Sequence, residues 1–308
     1  MWEGFDPEDN SLLDLLRFSL EQPLRVQQDP RKPVDIEVSS VYPSRRASYI
    51  GAAKAAWKRV AQGPTDPRAF FVDPPKSENA KVGIWYTPEN IRPPASGWDI
   101  TLSYDKDGWM PGNFYLPFWQ LGTDLFGGSR KGFLGRTISI NELTTPRIGD
   151  AGSRPKFCCA FIRNPDPVRM RTIQALEEIG TVDVFGLASS RPVDNKLEVA
   201  SQYRFMLCFE NDLYPGYVTE KVFDAWASGA IPLWWGLDRD RCLNPDALVN
   251  LANFQSIEEF KNYIKHLDGD SMRLNLMSST PISQTASMCP AVAMRIQDII
   301  LRELPKGA

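Results

Sequence analysis

Histidine is almost missing from this 308-residue chain, with His266 the single example. It sits in the helix-like stretch SIEEFKNYIKHL, remote from every motif, which argues against a Ser-His-Asp triad or a histidine-rich metal site. Any general base has to be sought among carboxylates. Cysteine is scarce as well: five residues (Cys158, Cys159, Cys208, Cys242, Cys289) and no CxxC pair. An odd count with three members in apolar runs reads as buried, reduced thiols, and a cytoplasmic compartment is expected. Long apolar runs are absent, with nothing near the roughly 18 residues of a membrane span. The opening MWEGFDPEDN lacks the charged and apolar regions of a signal peptide, so soluble behaviour without stable membrane insertion is expected. Excess positive charge is missing too: 35 Lys and Arg against 38 Asp and Glu give a net charge of -3. That balance offers no electrostatic case for nucleic acid as a partner.

What is present describes an ordinary folded protein, with 43% hydrophobic, 11% aromatic and 24% charged residues. The length exceeds the usual size of one hydrophobic core and predicts two domains of about 150 residues each. Leu12, Leu13, Leu16 and Leu20 fall at helical spacing in residues 11–22, with Asn10 as N-cap. VDIEVSSVY, KVGIWY and WDITLSY read as strands, and IGAAKAAWKRVAQG (residues 50–63) as a helix among them. After residue 150 the alternation becomes regular. KFCCAFI is a continuous apolar run of the kind found in buried parallel strands, and its following helix carries Ile173, Leu176 and Ile179 on one face with Gly180 as the stop. VDVFG, RFMLCF, AIPLWWG and LVNLANF then alternate with helical stretches, and Ser256 with Glu259 forms a capping box. The pattern predicts α/β domains with parallel sheets covered on both faces. Residues 126–155, rich in Gly, Pro, Ser and Arg, read as a long connection with a domain boundary near 150. The expected organisation is 1–150 and 151–308, two Rossmann-like α/β domains facing one another across a cleft, with the last amphipathic helix free to cross back onto the first.

The segment from Tyr203 to Gly236 carries the functional signal. A buried strand delivers Glu210 and Asn211 at its C-terminal end, where ligands bind in open α/β sheets. Pro215 and Gly216 turn the chain toward Thr219, an N-cap, and a helix that buries Val222, Phe223 and Trp226 before stopping at Gly229. The free N-H groups and positive dipole end of that helix suit a nucleoside diphosphate, with Lys221 as an added cation. Glu220 can accept hydrogen bonds from ribose or sugar hydroxyls, and Tyr217 can lie against a base or ribose ring. The same residues also read as a solvated Glu220–Lys221 pair in a first helical turn, with Glu210 as a charged cap.

CFEN, YVTEK, a helix ending at Gly229 and the strand IPLWWG, in this order over some 34 residues, resemble the donor-binding signature of the α1,3-fucosyltransferases, glycosyltransferase family 10. A multi-element signature of this kind is far more specific than a lone Gly-rich loop. LVNLANFQSIEEFKNYIKHLD resembles the family's next strand and helix, and KFCCAFIRN its strand ending in Ser-Asn, with Arg163 in place of the serine and Asn164 kept. The resemblance implies a GT-B type fold, GDP-fucose as donor, and Asn211, Tyr217, Glu220, Lys221 and Asn164 as donor-binding residues. After VDVFG the family supplies a polar residue facing the phosphates, and Arg191 is the candidate here.

Inverting transfer needs a base within reach of the acceptor hydroxyl. KVGIWYTPENIRPP places Glu89 in a loop directly after a buried strand, between Pro88 and Pro93; loop carboxylates of this kind are usually structural or solvated. The family carries a glutamate at a similar position, taken to be the base, followed some fifteen residues on by a strand and an aspartate-containing turn that WDITLSYDKD matches. By resemblance the product is Lewis-x-like, with fucose on the 3-hydroxyl of N-acetylglucosamine in an N-acetyllactosamine glycan. The rivals are another nucleotide sugar on the same fold and a nucleotide-binding protein without turnover. No cofactor is expected. Asp238 and Asp240 form a DxD triplet for which no metal role is expected, because Lys221 and the helix dipole can supply positive charge. Trp234 and Trp235 read as core and cleft-edge packing. The aromatics at 109, 114, 115, 118 and 119 read either as an acceptor groove or as packing, and Asp105 and Asp107 as solvated. A bacterial cytoplasmic enzyme fits these features, as does a trimmed Golgi catalytic domain.

Overall fold

Parallel strands need long crossovers, and the alternation of apolar runs with helical stretches supplies them. The computed structural model describes residues 10–20, 24–27, 32–40, 75–121, 123–124, 138–163, 165–186, 189, 191–285 and 288–304. The helix expected at 50–63 lies outside these residues. The strands are β1 (Val34–Ser40), β2 (Ala80–Tyr86), β3 (Ile100–Ser103), β4 (Asn113–Tyr115), β5 (Thr123–Asp124), β6 (Ile138–Ser139), β7 (Lys156–Phe161), β8 (Val182–Phe185), β9 (Tyr203–Leu207), β10 (Ile231–Trp234) and β11 (Val249–Asn250). The helices are α1 (Ser11–Leu20), α2 (Phe118–Leu121), α3 (Ile140–Thr144), α4 (Pro167–Glu177), α5 (Lys196–Ala200), α6 (Glu220–Ala227), α7 (Ile257–Asp268), α8 (Ser271–Ser279) and α9 (Cys289–Glu303).

The described residues fall into two compact units: one holds those up to Leu121 together with those from 288 onward, the other holds 123–124 and 138–285. In the first unit β1, β2, β3 and β4 form a parallel sheet in that order. Val82, Ile84, Ile100 and Leu102 share one core with Leu12, Leu15 and Leu16 of α1 and with Val292, Ile296 and Ile300 of α9. The Asn10 side chain accepts from the Leu12 and Leu13 N-H groups at 3.1 Å each, which fixes the start of α1. The last long helix thus belongs to the first unit.

In the second unit the order is β11-β10-β9-β7-β8, all parallel. Counted within this sheet the order is 2-1-3-4-5, and it reverses between β7 and β9, the kind of switch point beside whose C-terminal strand ends ligands bind in open α/β sheets. Residues 138–155, expected as part of a connection, are fixed to this unit. Leu143 is fully buried, Arg147 Nε donates to the Ser278 carbonyl at 2.9 Å, and the Arg147 guanidinium lies 3.8 Å from the Trp226 ring. Glycine at 149 is what lets the backbone approach α8, since a Cβ there would stand 2.0 Å from the Asn275 carbonyl oxygen. Ser256 caps α7 by accepting from Glu259 N at 3.1 Å, and the Glu259 carboxylate reaches back to Gln255 N at 2.9 Å. The box therefore closes one residue earlier than its usual form.

Candidate functional site

Beyond the end of β9 the chain stays paired with the β10 side, Cys208 N to the Leu233 carbonyl at 2.9 Å and Glu210 N to the Trp235 carbonyl at 3.0 Å. This pairing carries Glu210 to the C-terminal edge of the sheet, with its side chain fully buried. A carboxylate taken out of water needs several donors, and four converge on it. Thr219 N and Thr219 Oγ1 donate at 2.8 Å each, Lys221 Nζ at 2.9 Å and Trp234 Nε1 at 3.4 Å. Thr219 is the N-cap of α6 but makes no side-chain cap hydrogen bond. Its hydroxyl points to Glu210, and it also accepts from Lys221 Nζ at 3.0 Å. Glu210 thus ties the start of α6 to the end of β9, and is neither a simple cap nor solvated.

Lys221 keeps 28% of its side chain exposed, with its ammonium 5.8 Å from the Tyr217 ring centroid. Tyr217 is 1% exposed, so its ring is a wall of the site and not the open platform expected for a base or ribose. Its hydroxyl accepts from Asn211 Nδ2 at 3.3 Å, and Asn211 is exposed while Glu220 is half-buried. Four of the residues singled out in the sequence therefore sit together at one strand end and the start of the helix that follows. Asn164 lies outside the described residues. Arg191 follows β8, on the far side of β7 from β9: it pairs with Asp183 at 3.3 Å, lies 4.6 Å from the Phe185 ring, and is 55% exposed. Asp183 also accepts from the Tyr203 hydroxyl at 2.8 Å, so Arg191 straps the turn after β8.

Two charged residues went unnoticed in the sequence. Arg169, 8% exposed, reaches from the first turn of α4 to the Phe209 carbonyl at 3.1 Å and the Glu210 carbonyl at 3.4 Å. Burial lowers its affinity for the proton, and Asp166 and Glu210 oppose that. The available signal was an arginine at i−4 from Ile173, on the apolar face of α4. Asp224, on α6, is buried against Lys196 Nζ at 2.9 Å, and burial pushes its carboxyl up to about 7.

That shift has a testable sign. The native state holds the Asp224 proton up to about pH 7, whereas an unfolded aspartate releases it near pH 4. Stability from this group is present at low pH and is lost as pH rises toward 7. Asp224→Asn mimics the protonated form, so its melting temperature relative to the parent should rise between pH 5 and pH 8. A difference that stays flat across that range would remove the assignment.

In the first unit Glu89 is half-buried in the loop after β2. Asp105 and Asp107 were both expected as solvated; Asp105 is buried, whereas Asp107 is exposed. Asp105 is 6% exposed and 3.7 Å from Arg92 Nε. Asp107 accepts from Tyr115 N at 2.6 Å and pairs with Arg295 of α9. Tyr115 and Trp119 are core, whereas Trp109 and Phe114 are half-buried beneath the guanidinium groups of Arg92 and Arg295; the Phe118 side chain lies outside the described residues. In the second unit Asp238 accepts from Cys242 N at 3.0 Å and Leu243 N at 2.8 Å, which closes a turn. Asp240 pairs with Arg239 at 2.7 Å. Among the described residues no cluster of His, Cys, Asp and Glu could hold a metal ion. Trp234 is buried on Glu210, and Trp235 lies against Phe209 at 6.0 Å between ring centroids. All five cysteines are free and buried, with the Cys158 and Cys242 thiols pushed up to about 12 by burial. Among the described residues no helix is long and apolar enough to cross a membrane.

Two parallel sheets flanked by helices are an α/β fold of the GT-B glycosyltransferase type, and solved structures share it. A crystal structure of α1,3-fucosyltransferase aligns at a TM-score of 0.61 with 21% identity, over 95% of this chain and 96% of that one. One of α1,3-fucosyltransferase with GDP-fucose aligns at 0.60 with 23% identity, over 94% of this chain and 97% of that one. Residues 152–276 match the family model described as glycosyltransferase family 10 (fucosyltransferase), C-terminal. Among curated relatives, the alpha-(1,3)-fucosyltransferase FucT of Helicobacter pylori is 30% identical over 224 residues, 62% of this chain and 45% of its own length. The human 4-galactosyl-N-acetylglucosaminide 3-alpha-L-fucosyltransferase FUT6 is 37% identical over 247 residues, 76% of this chain and 60% of its own. The chain thus spans about half to three fifths of the curated relatives it matches.

Proposed function

We propose that this chain transfers L-fucose from GDP-fucose to the 3-hydroxyl of N-acetylglucosamine in an N-acetyllactosamine-type glycan, forming an α1,3 linkage with inversion and a Lewis-x-like product. The observation that carries the reading is the Glu210-centred junction of β9 and α6, within residues matched by the family model. It holds Lys221 and the positive end of α6 at a switch-point strand end, where a nucleoside diphosphate is favoured. Donor binding is assigned to the second unit, through Lys221, Asn211, Glu220, the Tyr217 hydroxyl, Asn164 and Arg191. Acceptor binding and the base, Glu89, are assigned to the first.

In the proposed step Glu89 takes the proton of the acceptor hydroxyl as that oxygen bonds to the anomeric carbon. The bond from that carbon to the diphosphate breaks on the opposite face, and GDP leaves with the electron pair. Lys221 and the α6 amides stabilise the charge that develops on the leaving diphosphate, a role a metal would otherwise fill. Buried free thiols suit a reducing compartment such as the cytoplasm.

Incubation with GDP-fucose and a panel of lactose, type 1 and type 2 N-acetyllactosamine, with the product linkage read by NMR, tests this directly. Transfer to the type 2 acceptor at the 3-hydroxyl is expected. Stabilisation in thermal melts by UDP or dTDP instead of GDP would change the donor, and binding without transfer or hydrolysis would leave a nucleotide-binding protein. Lys221→Ala is expected to weaken GDP binding about 10-fold or more, the size of one charge-assisted contact to a phosphate. Unchanged affinity by calorimetry would move the diphosphate site elsewhere.

A further inference from the structure

Two buried hydroxyls in the first unit are spent on the backbone around Glu89. Thr87, fully buried, continues the pairing of β2 with β3 through its N-H to the Leu102 carbonyl at 3.1 Å. Its hydroxyl then accepts from Glu89 N at 3.0 Å and donates to the Glu89 carbonyl at 3.0 Å. Tyr104, at the end of β3 and 1% exposed, donates to the Pro88 carbonyl at 3.2 Å. On the other side, Ile91 N donates to the Glu89 carbonyl at 2.8 Å, and Arg92 is held between Asp105 and the Trp109 ring. The Thr87 bonds are of the local kind that Ser and Thr hydroxyls make in turns, whereas the Tyr104 bond comes from a different strand end. Here the peptide groups on either side of the Glu89 side chain are bonded to a rigid sheet end.

We propose that Thr87 and Tyr104 are positioning residues for Glu89: their hydroxyls set the direction in which its carboxylate leaves the sheet. The inference rests on the reading of Glu89 as the base. Proton abstraction is sensitive to errors on the order of 1 Å in such a group, which is why supporting hydrogen bonds matter to rate more than to binding.

The test is Thr87→Val, which keeps the shape and removes the hydroxyl, alongside Thr87→Ser, Tyr104→Phe and Glu89→Gln. Turnover of the valine variant should fall 10- to 100-fold while KM for GDP-fucose and calorimetric GDP affinity hold. Serine, which keeps the hydroxyl, should recover turnover to within about threefold of the parent. Tyr104→Phe, a one-atom deletion, should lower turnover about 3- to 10-fold in the same pattern, and it decides the matter if the valine variant does not fold. Turnover within twofold of the parent in a folded Thr87→Val, or in Tyr104→Phe where valine does not fold, overturns the positioning role when Glu89→Gln is inactive. If Glu89→Gln itself turns over normally, the base assignment falls and the positioning role with it.

Discussion

Glu89→Gln is expected to lower fucose transfer by two orders of magnitude or more with GDP affinity unchanged, the usual size of a general-base effect. Glutamine preserves the side-chain length, and the hydrogen bonds that Thr87 and Ile91 make with the Glu89 backbone are kept by the substitution. What is lost is the capacity to accept a proton. The groups proposed to hold GDP belong to the second unit and are untouched. Paired measurements of turnover and of GDP binding by calorimetry separate the two effects. Turnover near that of the parent would take the base away from Glu89 and return attention to the other carboxylates of the first unit.

Much of the second unit was legible because its strands are buried on both faces and therefore appear as apolar runs; KFCCAFI, RFMLCF and AIPLWWG correspond to β7, β9 and β10. Local caps were legible for a similar reason, since Asn10 and Ser256 act on the residues just after them. Buried charge was not legible. Nothing in the order of residues says that Glu210 is dry, because its donors come from positions 219, 221 and 234 and meet only once the sheet and α6 are packed. Arg169 and Asp224 escaped for the same reason: each looks like a polar helix position until its partner on another element is known. Asp105 was misread in the same direction, since a charged turn resembles a solvated one unless Arg92 is seen against it. Glycines at 149 and 152 suggested a loose connection, yet each marks a close approach to α8 that a Cβ would block.

Glu210→Ala is the substitution expected to damage the second unit most. It strands the Thr219 N-H and the Trp234 indole N-H, both in buried residues, and leaves the Lys221 ammonium without its carboxylate. Removing one partner of a buried ionic network costs roughly 3–5 kcal/mol, and the lower end applies because Lys221 keeps 28% of its side chain in solvent. About 3 kcal/mol corresponds to a fall in melting temperature of roughly 6–12 °C for a unit of this size. GDP binding should fall further than in Lys221→Ala, since both the cation and the start of α6 lose the group that fixes them. Glu210→Gln, which keeps the shape and can still accept from Thr219, should lie between the parent and alanine on both measures. An alanine variant that melts within 2 °C of the parent and binds GDP equally well would show that β9 and α6 are joined by packing alone. The donor site would then owe its geometry to Val222, Phe223 and Trp226, the buried face of the helix.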